Sequence, residues 1–403
     1  MVDKLNYKSI KKAIQFTWQL TCQELKNVFT DSGVIIIFFA AGLLYPLLYG
    51  FVYYNENLTN VPVAVVDNSQ SAMSRELIRK IDATPDLEVS FHSPSLEEAK
   101  LLFAKNKVKG IIFIPSSFSK DIQTGIQTNI SAYASMASML YYRAMYAAVN
   151  YVCLDMGQHI QMNNLASTGL TQRQTQVYAT PVLSEGKSLY NPKGGYASFL
   201  VPTILILVIQ QTLVLGIGIL AGTAREENSF HQLIPIKKKY HGTLRIVLGK
   251  SFAYLILYVF ISCYNLIVIP RIFNLPQLDD ILTLVIFMFP LLLACIFFAM
   301  SISVFFFDRE VVFLLYLFSS IPLLFISGSL WPAEYIPTFW KVMSYFFPST
   351  LGIQGFIKIN SMGASFSQIS FEYFGLWIQA GMYFIFTFFV YRWQILQSEK
   401  RLK

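Results

Sequence analysis

Apolar residues dominate this chain of 403 residues, of which 54% are hydrophobic and only 13% are charged. That balance excludes an ordinary soluble domain and favours a protein whose solvent is the lipid bilayer. The formal net charge of +8 matches basic cytoplasmic connections beside anionic lipid, so nucleic acid is not an expected partner.

The first 33 residues predict an amphipathic helix in the cytoplasmic interface of the membrane. Apolar residues recur near helical spacing, and lysine and glutamine occupy the other faces. The apolar positions are Ile10, Ile14, Trp18, Leu25 and Val28. The alternative is a plain cytoplasmic helix packed on the protein.

Six segments have the roughly 20 mostly apolar residues that a spanning helix needs. The first, 34–54, is expected to stay as an anchor, because its apolar run is too long for a cleaved signal peptide. Residues 198–403 supply five further spans. They are 198–221, 246–270, 282–306, 312–331 and 373–391.

Lysine and arginine in the connections predict the orientation of these spans. With the N-terminus inside, the cytoplasmic pieces hold 16 of them, and the short outer connections hold only Arg271, Lys341 and Lys358. Both termini are therefore expected in the cytoplasm. Residues 55–197 are then expected outside.

Residues 55–197 predict an α/β extracytoplasmic domain inserted after the first span. The run 61–67 is typical of a buried strand, and helix and strand patterns alternate through 110–114. Ser95 and Glu98 have capping-box spacing at the start of one helix. A stretch free of proline, 137–170, predicts one long helix. The predicted fold class is a polytopic α-helical membrane protein with six transmembrane helices and this insert.

The sequence offers no clear motif for catalysis, metal binding or nucleotide binding. The histidines are too widely separated for a zinc site, and no serine has the surroundings of a hydrolase nucleophile. Gly249-Lys250-Ser251 lacks the remaining glycine of a phosphate loop, and Gly218 with Gly222 forms a small face for helix packing. The predicted spans carry no acidic or basic residue well inside the hydrocarbon, which disfavours an ion-coupled carrier. We expect no enzyme activity, metal or cofactor in this chain.

The connection between the second and third spans, 222–245, carries the most informative pattern. A polar start leads to an apolar core and Pro235-Ile236, and Leu248-Gly249-Lys250 follows at the mouth of the third span. This order resembles the loop of ABC-2 type exporter permeases that presses on an ATPase subunit. The resemblance implies a coupling role for Arg225, Glu226, Glu227, Phe230, His231, Gln232, Leu233 and Pro235.

A second stretch, 331–372 with the turn before it, predicts a re-entrant outer hairpin before the last span. Prolines and a glycine break apolar helix there, which is tolerated at membrane depth only where protein or water satisfies the freed backbone groups. The alternative is a simple interfacial loop. The marker residues are Gly328, Pro332, Pro337 and Pro348, and the stretch is similar to the hairpin of the same permease family.

The segments flanking the insert complete the resemblance. Tyr45-Pro46 to Gly50, Val61 to Asp67 and Leu189-Tyr190-Asn191-Pro192 look like the subgroup with a large insert after the first span. The resemblance implies a half-transporter that pairs with a second permease copy or a paralogue. ATP and Mg²⁺ would be bound by a separate ABC-type ATPase subunit, and membrane lipid and a periplasmic adaptor are the other implied partners.

The implied function is export of an amphipathic, lipid-like or drug-like substrate across the plasma (inner) membrane of a bacterium. Two alternatives from other classes stay open at this point. One is a membrane-anchored scaffold or binding protein, which has no ATPase partner. The other is an ion-coupled carrier, which needs an ionisable group inside the membrane.

Overall fold

The chain folds into two compact units, Asn57–Lys187 and Met1–Glu56 with Ser188–Lys403. The structure is a computed structural model. It describes residues 2–182, 186–191, 194–227, 242–278, 280–306 and 308–401.

The elements are, in chain order, α1 (Val2–Thr30), α2 (Ser32–Val52), β1 (Val61–Asp67), α3 (Ala72–Asp82), β2 (Leu87–His92), α4 (Leu96–Ala104), β3 (Gly110–Ile114), α5 (Phe118–Gln123), β4 (Ser131–Ala134), α6 (Met139–Ala166), α7 (Gln172–Ala179), α8 (Tyr196–Glu226), α9 (Gly242–Ile272), α10 (Ile281–Ile302), α11 (Arg309–Ile326), α12 (Thr338–Ser344), α13 (Pro348–Met362) and α14 (Ser370–Arg401).

Six helices among the described residues are long and apolar enough to cross a membrane: α2, α8, α9, α10, α11 and α14. The prediction of six apolar spanning helices is confirmed by helix length and composition, although several helices begin or end at residues other than those predicted. Helix α8 continues to Glu226, past its predicted end at residue 221. Helix α11 ends at Ile326, because Gly328 has a φ of +82° and closes the helix in a left-handed conformation that favours glycine.

Helix α8 is the central helix of the first unit, with 89% of its most apolar window buried. It packs against α2, α10, α11 and α13. Its small face permits the approach of α11: a β-carbon at Gly218 would lie 2.6 Å from Val312 Cγ1, and one at Gly222 would lie 3.0 Å from the Asp308 carbonyl carbon. The predicted packing role of these two glycines is thereby confirmed.

The second unit contains a four-stranded sheet of order β2-β1-β3-β4, parallel except for β4. Val63 and Val65 of β1 pack in one core with residues of α3 and α6, and Ala64 and Val66 pack in a second core with Ala99 of α4. Burial on both faces explains the unbroken apolar run that predicted this strand.

Local signals in this unit are only partly as predicted. Ser95 Oγ accepts from the Glu98 amide, which is one of the two bonds of the predicted capping box. A full box forms instead at Ser71 and Ser74, where a serine hydroxyl replaces the usual longer side chain. Lys80 Nζ donates to Asp155 Oδ2 at 2.8 Å, and this bond holds the pKa of the Asp155 carboxyl below its usual value.

The two chain segments of the first unit are joined by hydrogen bonds between Glu56 and the start of α8. The Tyr196 amide donates to the Glu56 carbonyl at 2.8 Å. The Glu56 carboxylate accepts from the Ser198 hydroxyl at 2.7 Å and from the Ser198 amide at 3.2 Å. A remote carboxylate therefore caps the N-terminus of α8, where the helix dipole favours negative charge.

Replacing Glu56 with alanine should lower the thermal stability of the protein, because the first turn of α8 loses its cap. Hydrogen bonds to charged groups contribute about 1.5–3 kcal/mol each. The melting temperature in detergent, followed by size-exclusion chromatography, measures the effect. Glu334→Ala, at an exposed residue, is the control; equal melting temperatures for both variants would contradict the cap.

Candidate functional site

Helix α1 docks on the first turns of α9 through a close backbone approach. A β-carbon at Gly249 would lie 2.8 Å from Leu20 Cβ. Thr21 Oγ1 donates to the Gly249 carbonyl at 3.0 Å. Trp18 packs edge-on against Phe252 with ring centroids 6.4 Å apart. The glycine of Leu248-Gly249-Lys250 therefore makes room for α1.

A buried ion pair completes this contact. Lys250 Nζ lies 2.7 Å from Glu24 Oε2, and the Glu24 side chain is only 3% exposed. Tyr254 also donates its hydroxyl to the Glu24 carboxylate. Removing two charges from water is costly unless they pair and their remaining hydrogen-bonding positions are filled. The Glu24 carboxylate meets both conditions, because Lys250, Tyr254 and Asn27 all donate to it.

This pair adds one detail to the expectation from the sequence. Lys250 belongs to a spanning helix, and Glu372, which is 3% exposed, lies in the last one and pairs with Lys358 at 2.6 Å. Both residues lie toward helix ends, and each has a partner of opposite charge. The prediction that the spans carry no acidic or basic residue well inside the hydrocarbon therefore stays a prediction.

A second ion pair joins Asp31, the residue between α1 and α2, to α11. Arg309 Nη2 lies 2.8 Å from Asp31 Oδ1, and the same oxygen accepts from the Gly33 amide at the start of α2. The Arg309 amide in turn donates to Glu226 Oε1 at 3.1 Å. The ends of α1, α8 and α11 are thus tied together by charged side chains.

These helix ends line an open polar pocket of about 580 Å³. We call this cavity the polar pocket; its charged and amide lining residues are Gln23, Glu24, Asn27, Asp31, Glu227, Lys250 and Arg309. Its walls come from α1, α8, α9, α11 and the first residue of α2. Any movement of the end of α8 therefore changes a cavity that is shared with four other helices.

The residues expected to contact an ATPase divide into two groups. Arg225 and Glu226 form the last turn of α8, and Glu227 follows it and lines the polar pocket. The sequence placed them in a loop, whereas α8 carries them as a helical extension. Phe230, His231, Gln232, Leu233 and Pro235 lie outside the described residues.

The four marker residues of the predicted hairpin each occupy a helix end or a turn. Gly328 follows the C-terminus of α11, and the Pro332 carbonyl accepts from the Tyr335 amide at 3.0 Å. Pro337 is the N-cap of α12, and Pro348 is the first residue of α13. Proline suits these positions because no amide donor is needed there.

The connection between α12 and α13, residues 345–347, reaches the middle of α8. The Ser349 amide donates to Gln210 Oε1 at 2.6 Å. Gln379 Nε2 of α14 donates to the Tyr345 carbonyl at 2.6 Å, and the Tyr383 hydroxyl donates to the Phe346 carbonyl. Side chains of two spans thus satisfy the backbone where helix is interrupted, as an apolar environment requires.

Four polar groups beside this connection have no hydrogen-bond partner within the described part of the chain. Three of them can donate, Gln210 Nε2, Ser349 Oγ and Thr350 Oγ1, and the fourth is the acceptor Gln379 Oε1. The residues of the three donors are at most 1% exposed, and Gln379 is 5% exposed. An unsatisfied buried donor costs about 1–3 kcal/mol, so an arrangement that keeps three of them calls for an explanation.

Sequence reasoning missed Glu24, Asp31, Gln210 and Ser349. For Glu24 a signal was present, since it lies four residues from both Leu20 and Val28, on the face that α1 buries. An acidic residue on a buried face indicates a partner. Gln210 has no such signal, because only the hairpin identifies its role. Among the described residues, no three or more His, Cys, Asp or Glu side chains are grouped to hold a metal.

A family model described as ABC-2 family transporter protein matches residues 32–389. The match begins with the first residue of α2, ends within α14 and spans both compact units. No curated protein matches the chain.

Removing only one partner of the Glu24–Lys250 pair should destabilise the protein strongly. Lys250→Met leaves a buried carboxylate without its cation, a change that typically costs about 3–5 kcal/mol. Glu24→Gln combined with Lys250→Met should recover most of the loss, because no uncompensated charge remains. The melting temperatures of the single and double variants in detergent measure this.

The control for this cycle is Lys100→Met, which removes a pair with Glu97 that is exposed on both sides. Exposed pairs contribute at most about 1 kcal/mol, so its melting temperature should stay near that of the parent. A double variant no more stable than Lys250→Met would show that the two charges do not depend on each other.

Proposed function

The chain belongs to the ABC-2 transporter family, and on that premise we propose that it exports an amphipathic, lipid-like or drug-like substrate across the plasma membrane of a bacterium. The coarse role follows from the family itself: this is a membrane-spanning permease component of an ABC transporter. It is a transport subunit rather than an enzyme, and it works with an ABC ATPase subunit.

ATP and Mg²⁺ bind the ATPase subunit in this proposal, and its closure pushes on the loop 222–245. The observation that carries the proposal is the linkage at the end of α8, the helix that leads into this loop. Glu226 caps α11, and Glu227 shares the polar pocket with α1 and Lys250 of α9. A push on the loop would thus reach three spans and α1 together.

Helix α1 lies in the membrane interface in this proposal. Ile14, Trp18 and Phe29 are 64%, 54% and 54% exposed, and these three residues share one face of α1 at helical spacing. Its buried face carries Leu20, Glu24 and Val28. An exposed apolar face beside a face docked on spans suits a helix half immersed in lipid. It would carry movement of the ATPase into α9.

Two permeases, identical or paralogous, pair through their spans, and the hairpin 331–372 is re-entrant from the outer side. The contact of residues 345–349 with the middle of α8 supports a return of the chain into the bundle. Residues 55–197 lie outside and serve as conduit, gate or docking surface for a periplasmic adaptor. Both termini lie in the cytoplasm, as the distribution of lysine and arginine indicates.

Reversing the charges of Lys237, Lys238 and Lys239 to glutamate should uncouple transport from ATP hydrolysis. A tenfold fall in the stimulated rate corresponds to about 1.4 kcal/mol of activation free energy. The measurement is ATPase activity of the reconstituted complex with and without the permease. Removal of 228–236 should act in the same direction.

The matched control is the triple variant Lys105→Glu, Lys107→Glu and Lys120→Glu, at three exposed lysines of the second unit. It carries the same change in charge, and coupling should persist. Normal coupling in the loop variants would exclude the loop 222–245 as the route. A permease that never associates with an ATPase would favour the scaffold alternative.

A peptide tag at Gly125 should be reached by antibody only from outside the cell. Gly125 lies in a turn with φ of +75°, and no atom would lie within 4 Å of a β-carbon there, so an insertion is tolerated. A tag after Lys403 is the control and should be reached only after the membrane is permeabilised. Labelling of the Gly125 tag from the cytoplasmic side would overturn the orientation.

A further inference from the structure

Three of the unpartnered groups at the connection between α12 and α13 can donate a hydrogen bond toward the start of α13, and Gln379 Oε1 is an unpartnered acceptor beside Tyr345. Gln210 Nε2 belongs to the side chain whose oxygen accepts from the Ser349 amide. Ser349 Oγ and Thr350 Oγ1 lie on the first turn of α13, a helix of 15 residues. The N-terminus of a helix carries a partial positive charge. The donors and the dipole therefore favour the same kind of ligand, one with a negatively charged oxygen.

We propose that this donor site, defined as Gln210, Ser349 and Thr350, binds the oxyanion head group of the transported substrate, a phosphate or carboxylate. The inference rests on the proposed export function and specifies the substrate class. Neutral donors at a helix N-terminus bind oxyanions in many proteins. The acceptor oxygen of Gln210 is already used by the Ser349 amide, so its remaining amide group is a donor, and the positive end of the α13 dipole disfavours a cation.

The surroundings of the donor site are aromatic, which suits a head group attached to an apolar body. Phe298 of α10 contacts Phe347 with ring centroids 5.7 Å apart, and it contacts Tyr383 of α14 at 5.2 Å. Phe347 immediately precedes α13. A free, fully hydrated anion would lose its water here without gaining apolar contact. An amphipathic substrate gains both the donors and the rings.

The donor site is shielded in the arrangement described, since Gln210, Ser349 and Thr350 are at most 1% exposed. Access therefore requires α13 to separate from α8, where the hydrogen bond from Ser349 to Gln210 joins them. Separation of these helices exposes all three donors together. Substrate binding and movement of the hairpin are in this way a single event, which the ATPase subunit would drive.

The test compares two lipids with identical tails in the complex of the permease and its ATPase subunit, reconstituted in nanodiscs. Didecanoyl phosphatidic acid carries the oxyanion, and didecanoylglycerol lacks it. The expected result is that phosphatidic acid stimulates ATPase activity at about tenfold lower concentration, one power of ten in apparent Kd. Inorganic phosphate, the third arm, should have no effect, because it lacks the apolar body.

Two variants separate binding from folding. Ser349→Ala with Thr350→Val removes both hydroxyls and leaves the Ser349 amide free to bond Gln210, so melting temperature should be equal or higher. Gln210→Glu keeps an acceptor for that amide and replaces the donor with a negative charge. In both variants the preference for phosphatidic acid should fall toward equality of the two lipids.

The control is Gln394→Glu, because Gln394 is another buried glutamine, 5% exposed, whose amide atoms have no partner among the described residues. It should keep the preference. Equal stimulation of the wild-type complex by both lipids, or an unchanged preference in the donor-site variants, would overturn the proposal while leaving export intact. Stimulation by inorganic phosphate would reassign the donor site to a free anion. An ATPase indifferent to the permease would remove the proposed function itself.

Discussion

The ion pair between Glu24 and Lys250 is the interaction on which the rest of the membrane-spanning unit depends. It joins α1 to the third span at a point where Gly249 allows the two backbones to approach closely. Because the Glu24 carboxylate is buried in the docked helix, its burial depends on the pairing with Lys250. The position of α1 in turn sets Asp31 beside Arg309 and so determines the walls of the polar pocket.

The docking of α1 gives the motif Leu248-Gly249-Lys250 contacts other than those the resemblance implied. Leu248-Gly249-Lys250 was associated, by resemblance, with the loop that faces the ATPase subunit. In the fold its glycine and lysine contact α1 instead. The two roles are compatible in the proposed mechanism, since a helix docked on the entrance of the third span is well placed to receive movement from the same subunit. The motif then acts through α1 rather than by direct contact.

The buried polar side chains of the first unit gather at two levels along an otherwise apolar helix bundle, one charged and one neutral. Charged pairs gather at the ends of α1, α8, α9 and α11, around the polar pocket. Neutral amides and hydroxyls gather where α13 begins against the middle of α8. The difference follows from the cost of burial, because an unpaired charge is far more expensive to bury than an amide or hydroxyl. The charged level suits force transmission, and the neutral level suits contact with an amphipathic substrate.

The sequence by itself determined the six apolar helices, the strand Val61–Asp67, the packing face of Gly218 and Gly222 and the family, because each depends on local composition and spacing. Only the tertiary structure decided that Glu24 pairs with Lys250, which is 226 residues away, and that Gln210 meets Ser349, 139 residues away. Single polar residues on long apolar helices carry no periodic signal. Their partners are chosen by how the helices pack, and that is why the polar pocket and the donor site could not be read from the chain.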